Sequence, residues 1–154
     1  MLAATGACGG SALSQQTGFV HMKRMDQIAP SLDEMEELAR QTVETLPAAF
    51  RDSARQVAIR VADFADDDTL AEMEMEAFEL TGLYEGVPLT EKSNWDVPQG
   101  PDTVWLFRRP ILDEWAERGN ITIAELVTHV TIHEFAHHFG WSDDDIAAID
   151  QWWH

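Results

Sequence analysis

Two histidines and a glutamate within Thr128 to Asp145, T-H-V-T-I-H-E-F-A-H-H-F-G-W-S-D-D-D, are the residues of this chain best spaced to do chemistry. His133, Glu134 and His137 form an H-E-x-x-H pattern, and Gly140 and Asp143 follow at three-residue steps. On an α-helix, positions four apart are rotated by about 40° and raised by about 6 Å, so both imidazoles leave nearly the same face and can grip one small cation. Zinc suits such a pair, because it takes neutral imidazole nitrogen and carboxylate oxygen, and its catalytic sites use three protein ligands and keep a fourth position open. The third ligand must come from beyond the helix. Gly140 can adopt a positive φ, ending the helix and turning the chain so that Asp143 or a neighbour comes back towards the ion. Spacing favours Asp143 as that ligand, with Asp144 as the alternative; acidic residues opening a following helix would explain both without a metal. Glu134 lies about 100° round the helix from His133, badly placed to share the ion but able to reach a water on it. Bound zinc brings the pKa of water from near 16 to about 7, and a neighbouring carboxylate can take the proton as the water attacks a carbonyl. The pattern therefore points to metal-assisted amide hydrolysis with Glu134 as general base.

These side chains need a rigid helix, and the sequence marks one. Thr122 and Glu125 form a capping box that opens it, while Ile132, Phe135, Ala136 and Phe139 make one apolar stripe, and Leu126 and Val130 extend the histidine side upstream. His129 reads as a satisfied core histidine one turn before His133, and His138 as a solvent-facing or capping residue near the helix end. After Gly140, Ser142 with Ile146, Ile149 and Trp153 predicts a short last helix.

Upstream, Ser31 and Glu34 cap a helix with Met35, Leu38, Ala39, Thr42 and Leu46 on one face, stopped by Pro47. Val57, Ile59 and Val61 alternate as a strand. Asp66 to Asp68 read as the cap of a helix through Leu70, Met73 and Ala77 rather than as a cation site. From Gly82 to Asp102 the chain is loop or hairpin, with short strand pieces at Leu83-Tyr84 and Val87 to Leu89, and Tyr84 and Trp95 are candidates to line a pocket. Thr103 to Phe107 reads as a strand apolar on both faces, whose edge could pair with an extended peptide. Pro110 opens a further helix with Ile111, Leu112, Trp115 and Ala116 inward, ended by Gly119.

A chain of 154 residues fits one domain, over 26–154, preceded by a Gly-, Ser-, Thr- and Gln-rich stretch, 1–25, that reads as a flexible leader in which Cys8 and His21 carry no role. The 28 acidic against 10 basic side chains, net −18, disfavour nucleic acid and anionic membranes as partners and would draw cations or basic substrates. One cysteine excludes an internal disulfide and a cysteine-based zinc site. The start lacks the basic and apolar regions of a secretory signal, and no apolar run reaches the length of a membrane span, so the expected compartment is the cytoplasm.

With these residues in place, the chain resembles a known family. His133-Glu134-x-x-His137-x-x-Gly140-x-x-Asp143 matches the zincin motif in its metzincin-like form. The wider pattern, from Leu46-Pro47 through Leu83-Tyr84-Glu85-Gly86-x-Pro88-Leu89 and Arg109-Pro110-Ile111 to His137-His138-Phe139-Gly140, is similar to the small bacterial zincin-like metallopeptidases, or minimal zincins. The resemblance implies an α+β fold with a small mixed sheet packed against helices, one zinc ion per chain on His133, His137 and Asp143, Glu134 as the catalytic base, and a peptide or protein substrate. No methionine follows Gly140, where metzincins carry a methionine turn, and this leaves open a second reading: a non-catalytic, metal-binding acidic interaction module on the same fold.

Overall fold

The computed structural model describes residues 28–89, 102–141 and 144. The 1–25 leader, Trp95 and the helix expected after Gly140 lie outside the described residues. The chain order is α1 (Leu32–Glu44), α2 (Ala48–Ala54), β1 (Ala58–Ala62), α3 (Asp67–Met73), β2 (Gly82–Glu85), β3 (Thr103–Phe107), α4 (Arg108–Arg118) and α5 (Ile123–His138).

The three strands make one mixed sheet in the order β1-β3-β2, with β1 parallel and β2 antiparallel to β3. Residues paired across a sheet share a face, and successive residues alternate faces. Register therefore puts Ile59, Val104 and Tyr84 on one face with Val61, Leu106 and Gly82. That face is covered by α1 and α5, whose Met35, Ala39, Val43, Leu126, Val127, Val130 and Phe135 form the main core with it. The opposite face, with Phe107, Trp105 and Leu83, packs on Ala65, Leu70, Met75 and Leu80 from the α3 region. β3 is apolar on both faces because it is the middle strand with cover on both sides.

Local chemistry explains the helix ends. Ser31 Oγ accepts from Glu34 N at 3.1 Å to open α1, and Asp66 Oδ1 accepts from Thr69 N at 2.7 Å to open α3, so the three aspartates there cap rather than chelate. Helix α1 stops at Glu44, and Pro47 then stands at the head of α2, a helix that the sequence reading did not anticipate. β2 spans Gly82–Glu85, extending the predicted Leu83-Tyr84 piece, whereas Val87 to Leu89 forms no strand. Arg108 and Arg109 begin α4, two residues ahead of the Pro110 expected to open it. No helix among the described residues is long and apolar enough to cross a membrane.

Helix α5 opens with a reciprocal capping box: Thr122 Oγ1 accepts from Glu125 N at 3.1 Å, and Glu125 Oε2 accepts from Thr122 N at 3.0 Å. Its buried threonine, Thr131, satisfies its hydroxyl on Val127 O at 2.7 Å. Thr122→Ala removes the cap and is expected to lower the free energy of unfolding by about 1 kcal/mol in denaturant titration, while Thr122→Ser keeps most of it.

Candidate active site

Helix α5 carries two parallel stripes, each stepping by four residues. Val130, Glu134 and His138 turn towards the sheet. His129, His133 and His137 lie one residue earlier in each turn and line an open cleft of about 770 Å³ together with Glu134. The rings of His133 and His137 have centroids 5.1 Å apart at an interplanar angle of 77°, so the two imidazoles expected to work together are adjacent. His129 is half-buried in the same cleft wall and is not the core histidine anticipated from its spacing.

His137 has a defined tautomer. Its Nδ1 lies 3.1 Å from Trp141 O, and a carbonyl oxygen only accepts, so Nδ1 donates and Nε2 bears the lone pair. Trp141 is available for this because of the way α5 ends. Gly140 takes φ +90°, Gly140 N donates to His137 O at 3.0 Å and Trp141 N donates to Ala136 O at 3.0 Å, which is the Schellman arrangement. The positive φ expected of Gly140 is thus present. Asp143 lies outside the described residues, and Asp144 is exposed. Among the described residues no group of three or more His, Cys, Asp or Glu side chains is gathered closely enough to hold a metal ion.

Glu134 is 8 % exposed. It packs against the backbone of β2 at Gly82, which lines the same cleft with Leu83 and Tyr84. A glycine within a strand is a sequence sign of close backbone approach, and it is the signal that could have marked Gly82 beforehand.

The largest departure from the sequence reading is His138, which is 3 % exposed rather than solvent-facing. Its Nε2 is 2.9 Å from Ser53 Oγ on α2, and its Nδ1 is 3.0 Å from Tyr84 Oη and 3.2 Å from Asp102 Oδ2. Tyr84 O–H donates to Asp102 Oδ2 at 2.8 Å and lies 3.1 Å from Val87 O. With Asp102 accepting as a carboxylate, His138 Nδ1 is the donor on that side, and Nε2 shares a hydrogen bond with the Ser53 hydroxyl. The order serine, histidine, aspartate is that of a hydrolase triad, but Ser53 is not among the residues lining the cleft, and Tyr84 shares the Nδ1 side. This cluster binds α2, β2, α5 and the approach to β3 together.

The fold is α+β, and a cleft among the described residues is walled by a helix presenting paired histidines beside a carboxylate. The chain belongs to the zincin-like metallopeptidase family, whose family model matches residues 54–153, well over half of its length. Comparison with curated proteins finds no match. Membership implies in general a zinc cofactor and peptide or protein substrates. Helix α1 precedes the matched span yet supplies Met35, Ala39 and Val43 to the same core.

Burial and then the hydrogen bond to Asp102 push the Tyr84 phenol far above the ordinary tyrosine value. Tyr84 is the one tyrosine in the sequence, so the phenolate absorbance of the whole protein reports on it alone. Its midpoint is expected well above about 10 in the folded protein. Because the folded pKa is raised, the associated stability is present below about pH 10 and is lost as pH climbs past the unfolded value. Tyr84→Phe should flatten that alkaline fall in a pH series of thermal unfolding.

Proposed function

We propose that this protein is a zinc-dependent peptidase in which His133, His137 and Asp143 hold the ion and Glu134 is the general base. The observation that carries the reading is the His137 tautomer: with Nδ1 spent on Trp141 O, the lone pair sits on Nε2, beside His133 in the cleft wall. A ligating histidine commonly donates its other N–H to a carbonyl in this way, which orients the ring and raises its basicity. Two neutral imidazoles and an aspartate are a donor set that suits zinc. When bound, zinc supplies Lewis acidity that polarises a carbonyl and acidifies a water in the site.

The chain's own residues do the rest. Glu134 takes the proton of the attacking water and returns it to the departing amine, and its packing against β2 holds the carboxylate to one position while it does so. An extended peptide needs an unpaired strand edge. Val104 to Phe107, expected to offer one, cannot: β3 is hydrogen-bonded on both sides, to β1 and to β2. Among the described residues β2 is the outer strand on the cleft side, and its Gly82, Leu83 and Tyr84 line the cleft, so β2 takes over the role. Glu79, Glu114 and Glu134 also line the cleft, whose described lining contains no lysine or arginine, so the approach favours basic peptides.

Glu134→Gln should reduce peptide turnover by about two to four orders of magnitude while zinc content measured by elemental analysis stays at one ion per chain. Equal turnover in the variant would remove Glu134 from the mechanism. Stoichiometric zinc without cleavage of any member of a broad peptide library would turn the reading to the metal-binding interaction module. In the same library, lysine- and arginine-containing peptides should be cleaved faster than acidic ones at low salt, and the gap should narrow as ionic strength rises.

A further inference from the structure

We infer that Gly82 is the positioning residue for Glu134: the missing side chain on β2 is the slot that fixes where the carboxylate stands. The inference rests on the peptidase reading for its catalytic consequence, and on packing alone for its physical content. A Cβ at Gly82 would lie 2.9 Å from Val130 Cγ1, 3.0 Å from Glu134 Cγ and 3.1 Å from Glu134 Oε1. Contacts this close cannot all be kept, so something would have to move. Val130 is β-branched, on a helix, and buried in the core, where a single χ1 rotamer dominates, so it yields little. The Val130 contact is met by a small shift of β2 against α5, and at the other two contacts Glu134, with three soft torsions and a place on the cleft wall, is what gives way.

Glycine weakens a strand by conformational entropy and offers no side chain to pack. Its presence on the core-facing side of β2, where Tyr84 two residues on is a large packed side chain, is accounted for by this close approach. His133 and His137 belong to the other stripe of α5, and neither supplies any of the three atoms nearest an added Cβ. Gly82→Ala therefore separates the base from the imidazole pair.

The test has two arms, both on the full chain. In the first, thermal unfolding is measured for the wild type, Gly82→Ala, Glu134→Ala and the double variant, after metal removal. The drop in midpoint caused by Gly82→Ala should shrink when Glu134 is truncated, because two of the three atoms nearest the added Cβ are gone and the Val130 contact remains; the same drop in both backgrounds would overturn the inference. In the second arm, Gly82→Ala should keep its zinc and its KM while kcat falls by about tenfold, less than the roughly 100-fold of a full 1 Å misplacement because the crowding asks Glu134 to give only part of that distance. Unchanged kcat, or loss of zinc together with activity, would overturn it. Should Gly82→Ala fail to fold, Gly82→Ala with Val130→Ala relieves the tightest contact and is carried through the same two arms. A wild type whose turnover does not depend on Glu134 sinks the peptidase reading but leaves the unfolding cycle valid as a test of the slot.

Discussion

The constraint on which the site depends is the rotation of one helix. Successive residues of α5 are about 100° apart, so the stripe Val130, Glu134, His138 and the stripe His129, His133, His137 are rigidly offset. Whatever fixes the first against the sheet aims the second into the cleft. β2 holds the first stripe at both ends: Gly82 admits Val130 and Glu134 to within contact of its backbone, and two residues along, on the same strand face, Tyr84 reaches His138. A strand rises about 3.3 Å per residue and a helix turn about 5.4 Å, so residues 82 and 84 span about the same length as residues 134 and 138. The match of these two periods lets one short strand set both the height and the rotation of the histidine helix.

Polar burial serves the same end by a different route. The Ser53, His138, Tyr84 and Asp102 cluster gathers groups from four separate segments, and in a low-dielectric interior each hydrogen bond in such a chain strengthens its neighbours while any unmet partner is costly. Apolar contacts alone tolerate sliding; directional bonds do not. Main-core packing of α1 and α5 against β1 and β3 brings the helices to the sheet, and the polar cluster ties α2, β2 and α5 at one end of it.

The parts of this arrangement written in local sequence were legible there. The Thr122 capping box, the Asp66 cap, the glycine stop at Gly140 and the doubly apolar character of Thr103 to Phe107 each depend on residues within about one turn or one strand, and each was readable from spacing. Helix α2 was not, because seven residues with one buried position, Ala54, give no period to detect, and Pro47 reads equally well as a stop or as a start. His138 was misjudged for a deeper reason: its partners Ser53 and Tyr84 are 85 and 54 positions away, and nothing in the sequence near His138 announces them. The strand order has the same character, since three short apolar runs leave the middle place unassigned, and only the pairing of β3 with both neighbours denies it a free edge.

Buried His138, with its partners Ser53 and Asp102, differs from the half-buried pair His133 and His137 in access rather than in residue type. His138 is enclosed by hydrogen-bond partners at both ring nitrogens, and half-buried Ser53 meets that ring from α2 rather than lining the cleft. His137 donates from Nδ1 to the backbone and holds its ring in the wall of the cleft. Glu134 stands between the two situations, its stem pressed on the sheet and its position on the cleft wall. Such a position combines enough confinement to hold the carboxylate in one geometry with a place on the cleft wall.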